Sequence, residues 1–118
     1  MILEDDAIIT ENFSDELKAI LQRLPENWDI LFLNGCHKQF GYVFDAGLRQ
    51  SRGGLCSFAY TISSKGAQYL LQHAVVRSEK PIDHVIDHET LTGRLSSFHA
   101  DPPLAQISSH KLTSTLAY

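Results

Sequence analysis

Three consecutive acidic residues, Glu4, Asp5 and Asp6, are the first part of this chain whose residue types and spacing could do chemistry. They follow two large aliphatic residues, a pattern typical of a buried strand that ends at the carboxyl edge of a sheet, where open α/β sheets bind their ligands. Clustered carboxylates repel one another unless a cation neutralises them, and oxygen-only ligands suit Mg²⁺ or Mn²⁺. The sequence therefore predicts a divalent metal site at residues 4–6. The alternative is an acidic loop or the first turn of a helix.

Two histidines, His84 and His88, are spaced to share one face of a helix, as are Asp83 and Asp87. A helical pair of this kind can bind zinc, but the zincin motif requires glutamate directly after the first histidine. Val85 stands at that position. A solvated helix edge is therefore favoured over a zinc site.

The elements that must position these residues follow from hydrophobic periodicity. Apolar residues at helical spacing predict a helix over residues 15–24, with Ser14 as its N-cap and Pro25 marking its end. An unbroken apolar run predicts a strand over residues 29–33, buried on both faces as in a parallel sheet. Trp28 is expected to wedge between helix and sheet rather than to stack on a sugar.

The second half of the chain repeats the strand–helix order. Alternating residues predict a strand over 55–62, followed by a helix that Ser63 or Ser64 caps and whose core face runs from Ala67 to Val75. A third helix is expected to begin at Pro81 and to end at Gly93. A short strand over 94–99 follows, and residues 104–107 are expected to close against the sheet.

Residues 36–54 are rich in glycine and carry three basic side chains, but they hold no Gly-x-Gly-x-x-Gly or Walker pattern. We expect a flexible loop near the mouth of an active site. The alternative is a surface connection with short strands around Tyr42 to Phe44.

Composition indicates one globular domain over residues 1–118, because 43% of the residues are hydrophobic and 20% are charged. The formal net charge of −4 gives no electrostatic footprint for nucleic acid, and no apolar run has the length of a membrane span. Met1 is followed by acids rather than by a basic segment, and the spacing of Cys36 and Cys56 suits neither a disulfide framework nor a metal site. A cytoplasmic protein with reduced thiols is therefore expected.

Five blocks of the chain resemble, in order, the family-25 glycosyltransferases, which include lipopolysaccharide galactosyltransferases and the related collagen galactosyltransferases. The match covers about residues 1–106, and residues 107–118 read as a polar tail. The blocks are Ile2-Leu3-Glu4-Asp5-Asp6-Ala7, Trp28-Asp29-Ile30-Leu31-Phe32-Leu33-Asn34-Gly35, Ala59-Tyr60-Thr61-Ile62-Ser63 with Gly66-Ala67 and Leu70-Leu71, Pro81-Ile82-Asp83, and Pro102-Pro103-Leu104.

The resemblance implies an α/β domain that corresponds to the C-terminal part of a glycosyltransferase-A fold, without its N-terminal nucleotide-binding unit. It implies Mn²⁺ or Mg²⁺ held by Glu4, Asp5 and Asp6, with an imidazole ligand from the late chain, for which His99 and His110 are the candidates. For each of these two histidines, a solvated or core position is favoured over a ligand role. Asp83 would be the general base. The donor would be a UDP-sugar, with UDP-galactose expected, and the acceptor a lipopolysaccharide or another glycan.

Two other classes of function remain open from the sequence. Because the family places a nucleotide-binding segment before the acidic motif, this chain is also compatible with a non-catalytic remnant or a subunit of such an enzyme. An unrelated metal-binding module that uses the acids and the His84–His88 pair is the third. For the transferase and for a remnant of such an enzyme, we also expect self-association through an uncovered sheet edge and peripheral contact with the inner face of a membrane.

Overall fold

A computed structural model of the chain describes residues 1–34, 40–52, 58–74 and 79–107. Predictions for Cys36, Cys56, His110 and the 107–118 tail beyond Ile107 lie outside these residues. The elements, in chain order, are β1 Ile2–Leu3, β2 Ala7–Ile9, α1 Phe13–Arg23, β3 Ile30–Phe32, β4 Phe40–Asp45, β5 Leu48–Ser51, β6 Ala59–Ile62, α2 Ser64–Tyr69, α3 Ile82–Leu91, β7 Ser97–Ala100 and β8 Ala105–Ile107. A π-helical segment, Leu70–Ala74, continues α2.

The chain has a mixed α/β structure built on a six-stranded sheet with the strand order β1-β6-β3-β7-β5-β4. Strand β3 is parallel to β7 and antiparallel to β6, and β6 is in turn antiparallel to β1. The carboxyl ends of β1, β3 and β7 therefore share one edge of the sheet. Strands β2 and β8 form a separate antiparallel pair. The predicted closure of residues 104–107 against the sheet is confirmed at its start, because the Leu104 and Ala105 amides donate to the Leu33 carbonyl oxygen at 2.8 and 3.1 Å, directly after β3.

Strand β3 is central, and its alternation divides the core into two layers. Leu31 packs with Phe13 and Ile20 of α1 on one side of the sheet. Ile30 and Phe32 pack on the other side, with residues of α3. Burial of β3 on both faces is confirmed, although the sheet around it is mixed rather than parallel.

The start of α1 differs from the prediction. Asn12, not Ser14, is the N-cap, and no side chain caps the helix. The helix begins at Phe13 because burial of this aromatic side chain in the core holds the first turn in place. The Glu16 amide then donates to the Asn12 carbonyl oxygen at 3.0 Å. Trp28 packs against the same core cluster, as expected of a wedge between helix and sheet.

Residues 40–51 form a hairpin of β4 and β5, so the flexible-loop prediction is wrong for this part of the 36–54 segment. The alternative of short strands around Tyr42 to Phe44 is confirmed. Gly47, with φ of 76°, allows the tight turn between the two strands. Pairing of β5 with β7 joins the hairpin to the sheet.

The unit of β6 and α2 forms in the predicted order, but the predicted core face of the helix is only partly correct. Leu70 is buried, Leu71 is 62% exposed, and Val75 lies outside the described residues. Ser63 is the N-cap of α2, and its hydroxyl accepts a hydrogen bond from the Gly66 amide at 3.0 Å. A Cβ on Gly66 would lie 2.9 Å from the Asp29 carbonyl oxygen, so a glycine is required for this close approach. Pro81 precedes α3, and Gly93, with φ of 79°, follows its end. No helix within the described part of the chain is long and apolar enough to cross a membrane.

Candidate functional site

The three acids lie in the turn between β1 and β2. The Glu4 amide donates to the Phe58 carbonyl oxygen at 2.8 Å, and the Ala7 amide donates to the Glu4 carbonyl oxygen at 3.1 Å. The acids thus follow the carboxyl end of β1, as predicted. The prediction that β1 is buried is wrong, because β1 is a two-residue strand on the edge of the sheet and its side chains are exposed.

The charges of the carboxylates in this turn interact with one another and with Asp83, a residue far along the chain. Partial burial raises the pKa of Glu4, and the negative charges of Asp6, Asp5 and Asp83 raise it further. Like charges have this effect because ionising one carboxyl beside another costs Coulomb energy. Asp83 therefore lies within electrostatic range of Glu4, although the two residues are far apart in the sequence.

Asp83 reaches this position from the first turn of α3. Val85 and Ile86 anchor that helix in the core, and only 8% of Asp83 is exposed. One carboxylate oxygen, Oδ1, accepts a hydrogen bond from the His84 amide at 2.9 Å. Negative charge is favoured at this place because the N-terminus of a helix carries a partial positive charge.

A row of rings crosses the sheet on the α3 side. Phe32 lies opposite Tyr60 in β6 and opposite His99 in β7. The His99 ring stacks on Phe32 with centroids 4.7 Å apart, and the Tyr60 centroid lies 6.2 Å from that of Phe32. Burial raises the pKa of the Tyr60 phenol, and the Glu4 charge raises it further, so Tyr60 lies near the acidic turn.

Tyr60 is a site residue that the sequence analysis missed. The alternation of the predicted strand indicated only that Tyr60 lies on the bulky face. Its position on the strand that pairs with β1 was not readable, because that pairing joins distant parts of the chain.

His99 is fully buried, and burial lowers its pKa from 6.5 to about 4. The imidazole is therefore neutral at pH 7, as a metal ligand must be. However, β3 and β6 separate β7 from β1, which at the usual strand spacing places His99 about 14 Å from the line of β1. The structure does not bring His99 beside the acids, and its role as a ligand stays a prediction.

A basic side chain, Arg49, also reaches the carboxyl edge. It lies opposite His99 in β5, and its Nε donates to Asp101 Oδ2 at 2.6 Å. Its Nη1 donates to the Gly41 carbonyl oxygen at 3.2 Å. In the sequence, Arg49 is one of the three basic side chains of the predicted loop, and nothing local indicates that it belongs to a strand next to β7.

The acidic turn has the ligand atoms that a divalent cation requires. The side chains of Glu4, Asp5 and Asp6 all offer carboxylate oxygens, and Asp6 Oδ1 is buried with no hydrogen-bond partner in the described structure. Both features fit a hard divalent cation. Among residues 1–34, 40–52, 58–74 and 79–107, no three histidine, cysteine or acidic side chains are already arranged around a common point. His84 and His88 are exposed, as a solvated helix edge would be.

No known family model matches the chain, and neither does any curated protein or solved structure. The resemblance to family-25 glycosyltransferases therefore stays a prediction that depends on the quoted motifs.

Proposed function

We propose that this chain carries the metal and acceptor side of a glycosyltransferase site in a partial glycosyltransferase-A fold. The supporting observation is that Asp83, in the first turn of α3, lies within electrostatic range of the Glu4-Asp5-Asp6 turn, where its charge is the last of the causes that raise the pKa of Glu4. These are the two motifs to which the resemblance gives the metal and the acceptor base. Their shared position beside the carboxyl ends of β1 and β3 is where α/β sheets place ligands.

In this proposal Glu4, Asp5 and Asp6 hold Mn²⁺ or Mg²⁺. When bound, the cation supplies a Lewis acid for the diphosphate of a UDP-sugar, with UDP-galactose as the expected donor. Asp6 has the strongest claim as a ligand because its buried Oδ1 needs a partner. Tyr60 lies in β6, the strand that pairs with β1, and is close enough for the Glu4 charge to raise the pKa of its phenol.

Asp83 acts as the general base toward the acceptor, a lipopolysaccharide or another glycan. Its carboxylate accepts the proton of the attacking hydroxyl, and the hydroxyl oxygen forms the new bond to the anomeric carbon as the bond to UDP breaks. The hydrogen bond from the His84 amide fixes one carboxylate oxygen and so orients the other. Transfer also requires the uridine and ribose to be held in line. The resemblance assigns those contacts to a segment before the acidic motif.

Metal binding is the first test. Thermal unfolding of the wild-type chain and of Asp6→Asn should be followed with increasing Mn²⁺. At about ten times the dissociation constant, binding adds about 1.4 kcal/mol, which raises the wild-type Tm by several degrees. Asp6→Asn should lose this shift, whereas Glu26→Gln, which changes an exposed acid outside the turn, should keep it. A folded wild-type chain whose Tm does not respond to Mn²⁺ would refute the metal site.

Donor binding and transfer are the second test. UDP should bind only in the presence of Mn²⁺, measured by calorimetry. A family-type nucleotide-binding segment, fused before Met1 or added in trans, should strengthen UDP binding and produce sugar transfer. Asp83→Asn should then lower turnover more than UDP affinity. If the completed domain binds no UDP-sugar, the chain is the non-catalytic or metal-binding protein of the alternative hypotheses.

A further inference from the structure

A cavity of about 350 Å³ lies between the π-helical continuation of α2 and the end of α3, and Tyr69, His73, Glu89 and Arg94 line it. Its volume is within the range of small-molecule sites, about 300–1,000 Å³. None of its residues belongs to the acidic turn. Glu89 lies six residues after Asp83 in α3, about 9 Å along the helix axis, so the cavity is separate from the proposed transferase site.

Glu89 is the buried centre of this cavity, and 8% of its side chain is exposed. The Tyr69 hydroxyl donates to Oε1 at 2.6 Å, and Arg94 Nη1 donates to Oε2 at 3.3 Å. A carboxylate offers about four acceptor positions and a guanidinium five N–H donors. The two side chains therefore retain both acceptors and donors for a ligand while they hold each other in place.

The charges of the cavity select against ions. Glu89 and Arg94 are an ion pair, so an anion would meet the carboxylate and a cation would meet the guanidinium. The remaining lining is aromatic, with the Tyr69 and His73 rings 5.3 Å apart and tilted by 37°. This tilt provides a shallow aromatic wall and no parallel slot for a flat base.

A neutral ring with adjacent hydroxyl groups and an apolar C–H face fits all of these features. Its hydroxyls can donate to Glu89 and accept from Arg94, and its C–H face can cover the aromatic wall. The π-helical segment that carries His73 is itself a feature frequent at functional sites. We propose that this cavity binds a neutral pyranoside, and the proposal does not rest on the transferase function.

The test is an NMR titration of the ¹⁵N-labelled chain with methyl β-glucopyranoside and methyl β-galactopyranoside, without metal or UDP. At least one should cause saturable shifts of the Tyr69, His73 and Arg94 amides, with a dissociation constant on the order of 1–10 mM. His73→Ala should weaken binding about tenfold, because it removes half of the aromatic wall from an exposed position. His84→Ala, which removes an exposed imidazole outside the cavity, should leave binding unchanged.

Three further variants complete the test. Glu89→Gln should abolish binding, and if it prevents folding, His73→Ala together with Arg94→Gln decides the question. Asp83→Asn should bind pyranosides normally, which separates this cavity from the transferase site. The proposal is overturned if neither pyranoside gives saturable shifts, if uridine binds in their place, or if His73→Ala has no effect.

Discussion

At the scale of single residues, Glu4 and His99 are two ionisable groups whose charged forms are disfavoured in the folded protein. Glu4 lies among other carboxylates, and His99 is enclosed between strands on a phenylalanine ring. The pKa of Glu4 is raised first by its partial burial and then by neighbouring charges, which a cation can neutralise. The pKa of His99 is lowered by burial, which no ligand in the acidic turn relieves.

Acid should destabilise the protein through His99. The folded pKa of about 4 lies below the unfolded value of 6.5, so the unfolded chain binds the proton first as the pH falls. Stability should be constant above about pH 7 and should fall by about 2–3 kcal/mol by pH 4.5 from this group alone. His99→Leu should flatten that part of the profile, measured by urea unfolding between pH 4.5 and 7.5. His84→Leu should retain the wild-type slope, and equal slopes for the two variants would contradict the assignment.

The contribution of Glu4 to stability changes with pH in the direction opposite to that of His99. Its folded pKa lies above 4.5, so the unfavourable contribution of its charge develops as the pH rises through that range and is complete at pH 7. Glu4→Gln should therefore stabilise the metal-free chain at pH 7 by about 0.5 kcal/mol or less, because solvent screens this exposed side chain. The gain should vanish at pH 3 and reverse in saturating Mn²⁺, measured by thermal unfolding. A gain that persists at pH 3 would show that charge is not the cause.

At the scale of elements, the packing of α2 against the start of β3 depends on the absence of a side chain at Gly66. The Gly66 backbone lies against the Asp29 carbonyl, and the Asp29 carboxylate binds Lys65 Nζ at 2.5 Å and the Ser96 amide at 2.8 Å. The start of β3, the start of α2 and the approach to β7 therefore meet at one residue.

Gly66→Ala tests that junction. Alanine favours a helix by about 1 kcal/mol over glycine, but its Cβ would meet backbone atoms at 2.9 Å, and overpacking of this kind costs about 1–3 kcal/mol. We expect a net loss of stability in urea unfolding. Ser64→Ala, an exposed change in the same turn of α2, should be neutral or slightly stabilising. A stabilised Gly66→Ala protein would show that the two segments can separate without cost.

Local signals predicted the elements well and their arrangement poorly. The run from Ile30 to Leu33, the Ser63 cap and the Pro81 and Gly93 boundaries were readable, because burial, capping and backbone restriction act within a few residues. The β4–β5 hairpin was not, since glycine and basic residues there resemble a loop until β7 pairs with β5. The proximity of Asp83 and Tyr60 to Glu4 was equally hidden, because long-range pairing creates it.

At the scale of the whole molecule, both edges of the main sheet carry exposed apolar side chains in the described structure. Strand β1 has Ile2 and Leu3, and strand β4 has Tyr42, Val43 and Phe44, of which Tyr42 is 71% and Val43 67% exposed. Edge strands with such side chains are templates for pairing with another chain.

We expect the isolated chain to self-associate at tens of micromolar through β4. Val43→Lys should shift sedimentation toward the monomer, because a charge on an edge strand opposes pairing. Gln50→Lys adds the same charge on the neighbouring inner strand β5 and should have little effect. A wild-type chain that sediments as a monomer at every concentration would show that this edge does not recruit a second copy.

The shortness of β1 has a consequence for how the acidic turn is held. Within the described residues, β1 is attached to the sheet by the pairing of two residues with β6 and by the hydrogen bond from the Glu4 amide to the Phe58 carbonyl oxygen. Such a segment opens locally long before global unfolding, so the Leu3 and Glu4 amides should exchange with solvent faster than those of β3. A cation that binds only the closed turn must supply the free energy of closing it. The apparent affinity for the cation is then the intrinsic affinity multiplied by the fraction of time for which the strand is docked. Binding of the cation in turn raises that fraction and so keeps the amino-terminal strand in place.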